Sequence, residues 1–364
     1  MATLITHEWL AKAGGSENVF EQMGRAFPYA DQYCLWNEDP DRFPATRDTW
    51  IGRTPLRKSK PMALPFLRSA LRSIPVEDYA TVVASSHAFG HYNAYRAVQN
   101  GARGFSYVHS PARYVWAPEH DVRGQSRAVR SLAPAMRWLD KRTTSDRVEY
   151  AANSEFVRRR IHDAWGVDSR VIYPPVAVEE ITAALAEPLD EGDAAVAATL
   201  PSDYVLGASR LIGYKRVDQV IEVADALGRP VVIAGDGPEK SALEHLADKL
   251  GVHAVFVGRV SDRLLYELYR RAALFVFLPI EDFGIMPLEA IAAGVPVLVN
   301  SVGGAWEGVG QTGAGWAVDT SDMSSVVAGA RQALRVKSAA GPAAVSQFSN
   351  SSFRAALTGW IHNA

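Results

Sequence analysis

Two glutamates eight residues apart, Glu281 and Glu289, bracket the run EDFGIMPLE. An apolar stretch, ALFVFLP, precedes the run and reads as a strand, and Pro287 suits the first position of a helix. Glu281 then falls in a loop and Glu289 on the first helical turn, so each carboxylate can take its own hydrogen-bond target. Between them, the backbone N–H groups of Phe283, Gly284, Ile285 and Met286 gather at a helix N-terminus, which favours anions and hydroxyl oxygens. The spacing also fits an acidic loop beside an ordinary capped helix.

A second turn follows the strand-like YVLGAS and holds Arg210 and Lys215 around Gly213. Two cations so placed can reach one phosphate group, Arg as a planar fork and Lys as a mobile point charge. Surface cations after a strand are common, and it is the combination with Glu281 and Glu289 that suggests chemistry. Two other strings are discarded. Asp39-Pro40-Asp41 has the D-x-D form of a metal motif but reads as a polar turn. Gly235 to Lys240 imitates a dinucleotide fingerprint, with Lys240 where the third glycine belongs. No P-loop and no nucleophile elbow occurs.

The elements that must position these residues alternate. From residue 203, short apolar runs (YVLGAS, PVVIAGDG, AVFVGRV, ALFVFLP, PVLVNS) are separated by amphipathic stretches, the pattern of βαβ units and a parallel sheet. Helices are expected over 216–227 and 261–273. The first half alternates more loosely, with strands at TLIT, DQYCLW, TVVASS, GFSYVHS, VEYAANS and VIYPPV and helices at 17–26 and 155–164. A break falls near 174–202, where Pro174-Pro175 stiffens the chain and the acidic run 187–193 reads as a surface loop. The expectation is two doubly wound α/β domains, 1–176 and 177–345, with ligands at the carboxyl ends of the strands and a site in the cleft where the domains face each other. Residues 346–364 read as a last amphipathic helix.

The chain has 364 residues, 48% hydrophobic and 21% charged, enough apolar material for two cores and too much for disorder. One cysteine, Cys34, excludes an internal disulfide or a Cys-based zinc site. No apolar run reaches membrane-span length and no signal peptide is apparent at the start, so a cytoplasmic setting is expected. The net charge of −2 conceals an asymmetry: residues 1–176 hold 24 Lys+Arg against 18 Asp+Glu, and residues 177–364 hold 14 against 22. Residues 53–76 carry Arg53, Arg57, Lys58, Lys60, Arg68 and Arg72 and no acid, interleaved with Leu56, Met62, Phe66 and Leu71; a second basic run spans Arg123 to Arg142. Such segments suit an anionic surface or a plain solvated face. Nucleic acid is not expected as a partner, because the overall balance is acidic and no binding motif appears.

Taken together, Arg210…Lys215-Arg216-Val217-Asp218, IAGDGPE, GRV and EDFGIMPLEAIAAGVPVL resemble the retaining family-4 glycosyltransferases. The likeness extends through GGSE at 14–17, SSHAFG at 85–90, YVHSPARYVW at 107–116 and ANSEFVRRRI at 152–161. The YVHSPARYVW string and the Phe-Gly-Ile-Met-Pro turn are most similar to bacterial mannosyltransferases of polysaccharide assembly. The resemblance implies the GT-B fold, two facing Rossmann-like domains with a nucleotide-sugar donor in the cleft between them, and a final helix crossing back to the first domain. By it, Arg210 and Lys215 hold the donor diphosphate, Glu281 the sugar hydroxyls, and Glu289 the ribose. The N–H groups from Phe283 to Met286 help hold sugar and phosphates, Val260 meets the base through its main chain, and Gly14 and Gly15 let the backbone approach the phosphates. His87 stands near the reacting sugar carbon, while His109 and Arg113 contact acceptor or sugar; for either histidine alone, a structural imidazole is the default. The implied reaction is hexose transfer with retention, GDP-mannose first and a UDP-hexose second, with no metal or other cofactor and no covalent nucleophile. The acceptor expected is a lipid-linked or membrane-surface glycan, with 53–76 on anionic membrane at its cytoplasmic face. A nucleotide-sugar 2-epimerase of the same architecture, or a non-catalytic binder, is the alternative.

Overall fold

The computed structural model describes residues 2–12, 14–118 and 127–363. Two units emerge: Met1–Pro175 together with Ser351–Ala364, and Val176–Asn350.

The first unit is built on seven strands, β1 (Thr3–Leu10), β2 (Asp31–Asn37), β3 (Thr46–Asp48), β4 (Thr81–Ser86), β5 (Arg103–Val108), β6 (Val148–Ala152) and β7 (Arg170–Val171). They pair in parallel in the order β3-β2-β1-β4-β5-β6-β7. A parallel sheet is covered on both faces, which explains why β4 is buried along its whole length. Strand β7 stops after two residues, shorter than VIYPPV suggests, because Pro174 and Pro175 have no N–H to give a ladder. The helix Glu155–Trp165 is capped by Ser154, whose side chain accepts from Val157 N at 3.0 Å, and ends at Gly166 in the left-handed region. The helix Asn350–Asn363 lays Phe353, Leu357, Trp360 and Ile361 into the core of this unit, with Trp360 edge-on to Phe105 at 5.2 Å.

The second unit holds β8 (Val205–Ala208), β9 (Val231–Ala234), β10 (Ala254–Gly258), β11 (Leu274–Phe277), β12 (Val297–Asn300) and β13 (Gly315–Val318), all parallel, in the order β10-β9-β8-β11-β12-β13. The helix Val217–Leu227 buries Val217, Val220, Ile221 and Ala224 at helical spacing on this sheet. Part of the acidic run is helical, contrary to its reading as a loop. Asp190 Oδ1 accepts from Asp193 N at 2.8 Å and starts the helix Glu191–Ala198, whose first turn welcomes Glu191 and Asp193.

In each sheet the strand order reverses once, between β1 and β4 in the first and between β8 and β11 in the second. Loops leaving the carboxyl ends of those two neighbours diverge to opposite faces, which opens the crevice where doubly wound sheets bind ligands. Among the described residues, no helix is long and apolar enough to cross a membrane.

Candidate active site

At the reversal in the second sheet, the loop after β8 carries Arg210 and Lys215 and the loop after β11 carries Glu281. Lys215 Nζ lies 2.5 Å from Glu281 Oε1, with the two side chains only 13% and 15% exposed. The ammonium also sits 5.7 Å from the Phe277 ring centre and 5.2 Å from that of Tyr214, so aromatic faces share its desolvation. Arg210 is exposed and donates to Tyr214 Oη at 3.0 Å. The two cations read from the sequence as one pair therefore have different holders, and the close pair is Lys215 with Glu281. Arg216, next in the loop, adopts a left-handed backbone (φ 53°) and donates to the Thr320 carbonyl at 2.9 Å. A non-glycine residue held there stores strain of about 1–3 kcal/mol, a common feature of loops that aim functional groups.

Gly303 and Gly304, outside the expected motif, shape the Glu281 loop; a Cβ on Gly303 would stand 2.9 Å from the Glu281 carbonyl oxygen. Gly304 N donates to the Glu281 carbonyl at 2.8 Å, and a Cβ on Gly304 would stand 1.9 Å from the Asp282 carbonyl oxygen. Only glycine lets the loop after β12 press this close. The Gly-Gly pair after PVLVNS was the signal that could have shown this. The helix begins at Ile285, behind Gly284 (φ 82°), so Pro287 is its third residue and not its first. Ile285 and Met286 thus fall in the first turn, where N–H groups have no partner within the helix. Phe283 is buried against Phe348, ring centres 5.9 Å apart. Glu289 falls in the second turn; burial, with the charge of Asp262 adding to it, raises its carboxyl to about 7. Val260 is half-buried in the loop between β10 and the helix Asp262–Arg271.

At the reversal in the first sheet the decisive residue is one the sequence reading passed over. Glu8, on β1, is fully buried, and its Oε1 accepts from Ala88 N at 2.9 Å, Gly90 N at 2.7 Å and His87 N at 3.2 Å. Ser86 Oγ donates to the same oxygen at 3.3 Å. His87 Nδ1 stands 3.1 Å from Oε2. Burial pushes this carboxyl up, but the His87 imidazole, His7 and the Ala88 N–H outweigh it and hold the group well below the usual carboxylate range. The signal was a glutamate at an inward position of an apolar strand, HEWL. Beside it, Ser85 Oγ bridges His7 Nδ1 and His109 Nε2, both at 2.9 Å. Burial lowers His7 to about 4 and His109 well below its ordinary value, so both rings are neutral at pH 7.

Potential ligand atoms of His7, Glu8 and His87 lie within 4.8 Å of one another, a spacing a metal could use. Glu8 already serves the backbone of the turn after β4 with Oε1 and faces His87 with Oε2, which suits an anchor better than a metal ligand. Gly14 and Gly15 are exposed at the start of the helix Gly15–Ala26; the loop before it is closed by Glu17, whose Oε1 accepts from Ala11 N at 3.0 Å. Arg113, half-buried, opens the one-turn helix Arg113–Trp116.

Residues 53–76 form short helical turns, with Met62 64% and Phe66 44% exposed among the cations. Arg123, the first residue of the second basic run, lies outside the described residues; the helix Arg127–Lys141 exposes Leu132, Trp138 and Leu139.

Residues 13–180 match the model of Glycosyltransferase Family 4, and residues 193–341 that of Glycosyl transferases group 1. A GDP-mannose-dependent alpha-(1-6)-phosphatidylinositol monomannoside mannosyltransferase of Mycolicibacterium smegmatis is 29% identical over 54% of this chain and 55% of its own. The protein of the same description from Mycobacterium tuberculosis is 31% identical over 48% and 49%. The chain thus spans about half the length of these relatives. Among solved structures, Anabaena HepE in complex with UDP superposes over 100% of both chains with a TM-score of 0.72 at 16% identity. WaaG, a glycosyltransferase involved in lipopolysaccharide biosynthesis, gives 0.68 at 16% identity over 100% of both chains. At such identities the likeness speaks for the GT-B fold alone.

Proposed function

The chain belongs to the family-4 glycosyltransferases of GT-B fold, and on that premise we propose that it transfers mannose from GDP-mannose to a hydroxyl of a glycan or glycolipid, with retention. The observation that carries this reading is the Lys215–Glu281 contact at the strand-order reversal. A cation suited to a diphosphate and a carboxylate suited to sugar hydroxyls meet at the one edge where such a sheet binds ligands. The mannosyltransferase relatives support the choice of donor.

The departing nucleotide is already a weak base, so its loss calls for charge stabilisation more than for a strong acid. Lys215 and Arg210 offset the growing charge, with the first-turn N–H groups of the helix Ile285–Ala292. Glu281 accepts from sugar hydroxyls, Glu289 from the ribose, and the Val260 main chain meets the base. In the first unit, the Gly14–Gly15 turn is assigned to the donor phosphates, His87 to the reacting sugar carbon, and His109 and Arg113 to sugar or acceptor. The sugar–phosphate bond breaks as the acceptor oxygen bonds to the same face of the sugar carbon, and the acceptor proton passes to the leaving phosphate oxygen. This scheme uses no metal and no covalent intermediate.

For the acceptor, a lipid-linked glycan fits the lipid substrates named for the relatives and the basic, partly apolar segment 53–76. That segment is proposed to rest on anionic lipid at the cytoplasmic face of a membrane. The epimerase alternative is not favoured, since the matched relatives are named as transferases. Nucleotide release from a panel of sugar nucleotides tests the reading: GDP released from GDP-mannose only with acceptor supports it, and an epimerised sugar nucleotide with donor alone refutes it.

A further inference from the structure

The buried glutamate on β1 is joined to the turn that presents His87 through backbone N–H groups and a hydroxyl. Its Oε1 takes the Ala88 and Gly90 N–H groups and the Ser86 hydroxyl, fixing the turn. Its Oε2 accepts from His87 N at 3.2 Å and also faces the His87 ring, 3.1 Å from Nδ1. His87 Nδ1 is buried, whereas the side chain as a whole keeps 21% exposure, so its accessible edge lies on the other ring atoms. Trp9 meets the ring edge-on with centres 4.5 Å apart and holds its plane. A carboxylate 3.1 Å from a buried Nδ1 favours the proton on that nitrogen. In the neutral ring Nε2 then carries the lone pair.

We propose that Glu8 is a positioning residue for sugar transfer: it fixes the turn that bears His87 and sets its imidazole as the Nδ1–H tautomer, with Nε2 presented as an acceptor to the transferred sugar. This rests on the assignment of His87 to the sugar. The charge of Glu8 is what the role needs, and it matters because Nδ1 is buried beside it.

The substitution Glu8→Gln keeps an acceptor oxygen for the Ala88 and Gly90 N–H groups but turns an NH2 group toward His87 Nδ1, and the bond from His87 N to Oε2 is given up. The ring must then accept at Nδ1 and carry its proton on Nε2. Nitrogen-15 NMR of histidine-labelled protein reads the tautomer directly; the expected change is from Nδ1–H in the wild type to Nε2–H in the variant. In steady-state assays with GDP-mannose and acceptor, kcat should fall about a hundredfold with donor KM within about twofold, the scale expected when a reacting group is misaligned. In a His87→Ala background the same change should cost little more. A tautomer that does not change overturns the proposal whatever the rate does. So does a changed tautomer with wild-type kcat, or a full extra loss in the His87→Ala background. Should the wild type transfer no sugar at all, the transferase reading falls by the kinetic arm, while the NMR arm still decides whether Glu8 sets the His87 proton.

Discussion

The Lys215–Glu281 pair makes a quantitative demand. At 2.5 Å, with both side chains mostly buried, Glu281 and Lys215 offset each other's charge at close range. Removing one partner of a buried pair costs about 3–5 kcal/mol, and the residual exposure here places the expected cost toward the lower end. In turnover, losing a donor aimed at developing charge is worth about 3–4 kcal/mol, or roughly 10²–10³ in kcat. Lys215→Met should therefore lose that much. Glu281→Gln, which removes the negative charge beside the ammonium and one of the two accepting oxygens, should lose a similar amount. If the pair acts as a unit, the double variant loses about as much as the worse single one, a coupling of about 3–4 kcal/mol, at the top of what contacting residues show. The assay is nucleotide release at saturating donor, on variants shown by circular dichroism and thermal melting to be folded. Independent action would make the losses add to within about 0.5 kcal/mol, and that result refutes the reasoning.

Other expectations follow from neighbouring features. Arg210→Ala should lower turnover on the order of a hundredfold, and near-normal turnover would remove its assignment to the leaving group. Replacing Arg68 and Arg72 with Glu should abolish sedimentation with anionic liposomes if 53–76 is the contact; equal binding discards the idea. Trp360→Ala, which empties a fully buried site edge-on to Phe105, should destabilise the protein by about 3–5 kcal/mol in chemical denaturation. The Glu289 carboxyl is raised from about 4.5 to about 7, so the folded state binds a proton that the unfolded state has already lost. Its contribution must fall as pH rises from 4.5 through 7 and then level off. Glu289→Gln should lack that decline, and matching pH profiles of stability for variant and wild type would contradict the burial argument.

The parts of the fold legible beforehand are those with strong periodicity. The apolar runs of the second unit are buried parallel strands, and Val217, Val220, Ile221 and Ala224 could face only a core. The loop that carries Glu281 was legible as a loop because a proline and a glycine punctuate it. What was missed depends on groups distant in sequence. Nothing within β1 shows that Glu8 serves a turn 80 residues away, since the partners are mostly backbone N–H groups and carry no side-chain signature. Gly304 gave only the weak signal of a paired glycine, and its purpose appears once the Asp282 carbonyl is seen against it. Pro287 misled by two residues because proline is tolerated throughout the first turn, where no N–H is needed. The helix Glu191–Ala198 was hidden by its acidity, which reads as solvated loop until Asp190 is recognised as a cap.

The most direct measurement is titration of the purified protein with GDP-mannose, UDP-glucose and their free nucleotides in a calorimeter, followed by nucleotide release with mannosyl-lipid acceptors. GDP-mannose should bind, Lys215→Met should weaken that binding, and GDP should appear only when an acceptor is added. Failure of every activated sugar to bind, or binding that is indifferent to Lys215 and Glu281, would contradict the account.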